Sequence, residues 1–184
     1  MMKHYLQFGL LCSVLMAGSA FADEQHTVSL GYAQSKTSDF KALKGANLQY
    51  RYEFNDKWGV IGSATYLSGN EKDWDDGLRE EIKLKYFSVL VGPSYRINEY
   101  VSPYALIGMS RIKASYHVYD SEFDESFSGN RTRNQFAYGV GVAINPKPNW
   151  AVNIGYEGTR FKGIDNDDDS SAFNGFNIGV GYRF

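Results

Sequence analysis

Cysteine is almost missing from this chain: of 184 residues only Cys12 carries a thiol, and it lies inside an N-terminal apolar stretch. Outside that stretch no disulfide and no cysteine metal site can be built. Leu10 and Leu11 precede Cys12 where a lipoprotein would need small residues, so lipidation there is not expected. Histidine is scarce too, with only His26 and His117 beyond the leader. A surplus of positive charge is lacking: the formal net charge is −2, and losing Lys3 would make it more negative, which gives no nucleic-acid footprint. Long apolar runs are absent as well. The stretch from Leu6 to Met16 is shorter than the roughly 20 residues that cross a bilayer as a helix, and a mean hydropathy of −0.40 excludes helical spans elsewhere.

Lys3, the apolar stretch and the small-x-small sequence Ala20-Phe21-Ala22 together predict a secretory signal peptide over residues 1–22. Residues 23–184 are then the mature chain and suffice for one domain.

What the chain has in quantity is aromatic residues and glycine, with 14 Tyr, 12 Phe and 19 Gly. They are ordered by a period of two, the period of a strand whose side chains alternate between faces. In the last segment Phe176, Ile178, Val180, Tyr182 and Phe184 share one face, while Asn177, Gly179, Gly181 and Arg183 share the other. The same dyad recurs at Trp150 to Tyr156, Tyr138 to Ile144 and Ala46 to Phe54. It marks a first strand at Val28 to Tyr32, a third at Trp58 to Tyr66, a fourth at Phe87 to Ile97 and a fifth at Val101 to Met109. Short turns are expected at 55–57, 98–100 and 146–149, and longer polar loops at 37–43, 69–81, 117–133 and 163–172. An even number of strands with short turns on one rim and long loops on the other predicts an all-β, eight-stranded antiparallel transmembrane β-barrel in a Gram-negative outer membrane. Phe54, Trp58, Tyr100, Trp150 and Phe184 would form its inner aromatic girdle. A soluble lipocalin-like barrel points its apolar face inward; here the opposite face carries Arg51, Glu53, Arg96, Glu157 and Arg183, so the apolar face must meet lipid.

The chain also resembles a known family. The segments TVSLGYAQS at 27–35, LQYRYEF at 48–54, WGVIGSATY at 58–66, VGPSYRINEYVSPYALIG at 91–108, AYGVGVAINPKPNWAVNIGYEGTRF at 137–161 and IGVGYRF at 178–184 are similar to the OmpX/Ail/PagC/Lom family of bacterial outer-membrane proteins. The resemblance covers nearly every strand and stops at the loops, so no binding residue transfers. It implies a barrel with a filled interior and, in several members, adhesion to host cells, invasion or resistance to complement. The closing aromatic strand resembles the terminal signal of outer-membrane barrels, which implies the barrel-assembly machinery as a partner.

Three sets of residues carry functional expectations. Arg51, Arg96 and Arg183 facing Glu53 and Glu157 predict a neutralised lumen network; eight strands leave room only for side chains, so a porin is not expected. Lys36, Lys44, Lys83, Lys85, Arg111, Lys113, Arg160 and Lys162 continue the lipid-facing parity past the apolar band, where Lys and Arg can pair lipopolysaccharide phosphates; they equally mark strand ends. The long loops are acidic, with Glu71, Asp73, Asp75, Asp76, Glu80 and Glu81 in one and Asp165, Asp167, Asp168 and Asp169 in another, but they lack the glycine and closing glutamate of a calcium loop. No cofactor is expected. Trp74, Tyr119, Phe123 and Phe127 on these loops are candidate anchors for a partner, and can alternatively pack on one another. A lipid A hydrolase could be drawn from Ser115 and His117, although residues two apart on a strand are not in contact by default. The function expected is therefore a monomeric scaffold presenting loops for adhesion to host matrix proteins or for serum resistance through complement regulators. The alternative is an envelope-stabilising or stress-related protein without a role in virulence.

Overall fold

The computed structural model describes residues 25–37, 40–75, 78–120, 125–162 and 170–184, with side chains over 25–36, 42–71, 81–116, 128–159 and 173–184. Its elements are eight strands: β1 His26–Thr37, β2 Phe40–Glu53, β3 Trp58–Asp75, β4 Leu78–Tyr95, β5 Val101–Asp120, β6 Glu125–Lys147, β7 Trp150–Lys162 and β8 Ser170–Arg183. Each pairs antiparallel with its sequence neighbour, and β1 pairs with β8, so the sheet closes without an edge across the membrane. Closure satisfies the backbone polar groups that lipid cannot.

The register fixes the barrel's shape. Val28 faces Tyr50, and the row runs on through Gly62, Val91, Ile107, Tyr138, Gly158 and Asn174 before meeting β1 again at Lys36. From Val28 to Lys36 is eight residues, a shear of eight for eight strands, so each strand raises the row by one residue step. That geometry tilts the strands by about 36° and leaves an interior filled by side chains. One residue step then climbs about 2.7 Å along the barrel axis.

The expected alternation is present. Leu30, Val91, Phe136 and Ile178 are exposed on the outer wall, whereas Ser29, Leu90, Ala137 and Asn177 are buried in the lumen. Trp58, Tyr95, Trp150 and Tyr182 lie one or two steps below the level of Val28, with Trp58 against Tyr95 and Trp150 against Tyr182 edge to face. From this girdle to the first charged outward residues is about ten steps, roughly 27 Å, which matches the apolar height of an outer-membrane barrel.

Two features differ from the sequence expectation. First, most of what reads as loop at 69–81 and 117–133 is strand: β3 pairs with β4 as far as Asp75↔Leu78, and β5 with β6 as far as Asp120↔Glu125. Polar residues on both faces hide this extension, because above the lipid neither face needs to be apolar. Pairing of β2 with β3 ends at Lys44↔Ser68 and that of β6 with β7 at Ala137↔Thr159. The four strands β3 to β6 therefore stand about 16 Å taller than the other four. Second, the lumen is not uniformly polar. Ile61, Leu90, Tyr104, Leu106 and Ala137 form an apolar wall on β3 to β6, and Ala33, Leu43, Leu67, Tyr86 and Phe173 form an apolar cap towards the outer end. Gly141 makes room for this wall: a Cβ there would lie 2.4 Å from the Tyr104 ring.

Candidate functional site

The lumen network draws polar side chains from around the barrel, and it splits in two. At the inner rim Glu53 accepts from Arg96, Nε to Oε1 at 3.1 Å and Nη2 to Oε2 at 2.5 Å, and from Arg183 Nη2 at 2.9 Å. Two steps higher, Arg51 donates through Nη2 to Asn145 Oδ1 at 3.1 Å and Thr27 Oγ1 at 3.4 Å, while its Nε and Nη1 find no acceptor among the described residues. Glu157 sits about seven steps above Glu53. It accepts from Thr65 at 3.0 Å and from the Tyr86 hydroxyl, with no cation among its described partners. The expectation that Glu157 neutralises the arginines is thus corrected: register places it in a different layer, under the apolar cap. Asn47, Ser63, Gln49, Tyr104 and Asn177 fill the space between the layers with neutral hydrogen bonds. The cavity beside Glu157 and Tyr86 measures about 10 Å³, room for about one water molecule.

On the outer wall, the register levels the basic residues. Counted in steps up the tilted wall from Val28, Lys44 stands at seven, Lys36, Arg111 and Arg160 at eight, Lys85 at nine, Lys113 and Lys162 at ten and Lys83 at eleven. The five lowest span about 5 Å of height. The three remaining strands place Ser68, Asn134 and Asn174 at this level, so every strand leaves its apolar band together. Lys85 and Lys113 are direct cross-strand partners, a like-charge pairing that is unfavourable unless an anion lies between or above them. Arg111 Nε donates to Asn134 Oδ1 at 2.9 Å, and Lys83 is 3.2 Å from Glu81. The side chains of Arg160 and Lys162 lie outside the described residues.

Arg131 and Arg133, which the sequence expectation did not include, are exposed on the opposite, inward-parity face of the tall sheet near its β6 edge. Their signal is present as arginines two apart amid Asn130, Thr132 and Asn134, inside a stretch whose composition predicts a loop. Trp74, Tyr119 and Phe127 lie on tall-sheet strands with side chains outside the described residues, and Phe123 falls outside them altogether. Ser115 pairs across to Lys83 and Asn130; the His117 side chain is not among the described ones, so no contact between the two is assigned. No group of three or more potential metal ligands occurs among the described residues.

Comparison with known proteins agrees with this architecture. Residues 8–184 match the outer membrane protein beta-barrel domain family. The virulence membrane protein PagC of Salmonella typhimurium is 39% identical over 180 residues, covering 94% of this chain and 93% of PagC. Outer membrane protein X of Escherichia coli is 33% identical over 187 residues, the whole of both chains. The crystal structure of the attachment invasion locus protein Ail of Yersinia pestis, in complex with the heparin analogue sucrose octasulfate, superposes with a TM-score of 0.68 at 39% identity, covering 87% of this chain and 98% of Ail. The level girdle, the filled lumen and these likenesses make the chain a Gram-negative outer-membrane β-barrel of the family that contains PagC, Ail and outer membrane protein X.

Proposed function

We propose that the barrel is a rigid scaffold whose ring of basic residues at the outer lipid boundary, below acidic projecting segments, binds polyanions, anchoring the protein in lipopolysaccharide and carrying adhesion to host surfaces, serum resistance, or both. The observation that carries the reading is the tall β3–β6 sheet, with Lys85, Arg111 and Lys113 on its outward face at the level where lipid ends and Arg131 and Arg133 on the reverse. Support comes also from the relatives: one is named for virulence, and Ail was crystallised with a sulfated sugar. Guanidinium and ammonium groups pair phosphate or sulfate oxygens through charge-assisted hydrogen bonds while their stems lie on the apolar band. Host partners in this reading are matrix proteins or complement regulators, with Trp74, Tyr119, Phe123 and Phe127 as further anchors and the β3 and β6 edges, which above Ser68 and Ala137 pair with no neighbouring strand among the described residues, open to strand addition. It is a binding protein rather than an enzyme. Residues 1–22 are a leader removed on export.

The variant K83S/K85S/R111S/K113S tests both arms. Expected are a loss of co-purifying lipopolysaccharide and, in a smooth laboratory strain, reduced adhesion to matrix-coated plates and reduced survival in serum. Unchanged lipopolysaccharide retention would sink the anchoring arm; unchanged adhesion and serum survival would sink the other.

A further inference from the structure

At the inner end of the barrel, β6 and β7 do not pair evenly. Ile144 faces Val152 and Lys147 faces Trp150, so one extra residue is accommodated on β6. Such a bulge bends its strand away from the partner. Asn145, on the lumen-facing parity of β6, is buried, with its side-chain amide on the Trp150 carbonyl at 3.2 Å. Beside the bulge lies an open groove of about 340 Å³, bounded by Pro146, Lys147, Trp150 and Ala151 and running onto Val152 and Val180. It is an open furrow on the barrel wall rather than an enclosed cavity. The furrow is apolar towards the membrane core and cationic at its inner end.

The charge is specific to this turn. The turn at Asn55-Asp56-Lys57 is internally balanced and that at Asn98-Glu99-Tyr100 is acidic, whereas Pro146-Lys147-Pro148-Asn149 carries a lone base. Lys147 is exposed and forms no ion pair among the described residues. Trp150, held edge to face by Tyr182, stands at the depth where indoles favour headgroups. An acyl chain fits along Val152 and Val180, and a phosphodiester fits at Lys147. From this complementarity we propose that the β6–β8 groove is a binding site for an anionic glycerophospholipid of the inner leaflet.

The test uses the full barrel with Trp150 as the only indole, through Trp58→Phe and Trp74→Phe, in phosphatidylcholine vesicles. Brominated-chain lipid bearing either a phosphoglycerol or a phosphocholine headgroup is titrated in, and bromine quenches Trp150 on contact. One cationic contact predicts that the phosphoglycerol lipid quenches at about fivefold lower mole fraction. Lys147→Gln, an exposed turn substitution, should abolish that preference and leave quenching by the phosphocholine lipid unchanged. Equal quenching by both lipids, or a preference that survives Lys147→Gln, overturns the site. A companion barrel keeping only Trp58, beside the balanced turn, should show no preference; an equal preference there marks a general surface effect and overturns the site as well.

Discussion

Glu53 holds two guanidinium groups at once, and it is only 6% exposed. Removing its charge would take away the carboxylate that Arg96 and Arg183 share at the inner end of the lumen. Breaking a buried ion pair from one side costs about 3–5 kcal/mol, so Glu53→Gln should lower the unfolding free energy in lipid vesicles by about 3 kcal/mol. Arg51 donates to no carboxylate among the described residues and rests on Asn145 and Thr27; Arg51→Gln should therefore cost less than Glu53→Gln in the same urea titration. Equal costs would mean that the lumen charges act as one undivided network. The composition of the lumen was legible residue by residue because charged partners interrupt an apolar alternation, as Arg51 and Glu53 do between Tyr50, Tyr52 and Phe54. Which acid meets which base was not legible, since it depends on the shear, and Glu157 is separated from the arginines by vertical distance that no spacing along the chain encodes.

At the scale of the strand, position along β6 decides what a substitution costs. Val140 faces lipid near the middle of the band and Phe136 faces it four residues nearer the outer rim, both on the same parity. A charge at mid-depth must leave water, whereas one near the interface can reach it by snorkelling. Val140→Arg should destabilise the folded barrel by about 2–4 kcal/mol and Phe136→Arg by about 1 kcal/mol or less, read from urea titrations into matched vesicles. The same physics explains what the sequence revealed of the elements. Lipid demands an apolar residue at every second position, so eight strands and their faces follow from parity. Above the bilayer that demand ends, and Gly69 to Asp75 or Ser126 to Arg133 continue as paired strand with no alternation to mark them. The apolar lumen wall left a fainter trace: in Val89-Leu90-Val91 and Ala105-Leu106-Ile107 both parities are apolar, where a lumen of polar groups alone would not produce such runs.

For the molecule as a whole, the membrane-spanning part and the projecting part are separable. All closing pairs between β1 and β8 and the lumen contacts of Glu53, Arg51 and Glu157 lie at or below the basic level. Shortening the β3–β4 and β5–β6 hairpins to the height of Ser68 and Ser110 should leave a barrel that still folds, seen as the heat-dependent gel migration of folded outer-membrane barrels. It should abolish adhesion in the coated-plate assay. A truncated barrel that fails to fold would mean the tall sheet contributes to assembly; one that still adheres would move binding to the low strands. The seams above Ser68 and Ala137 carry a last consequence. Because four consecutive strands rise and four stop short, the outer end has a front and a back. The arginines at 131 and 133 look out over the low side, the lysines at 85 and 113 look away from it, and a bound partner would be oriented within the plane of the cell surface, as a weathervane is, by which of the two faces it meets.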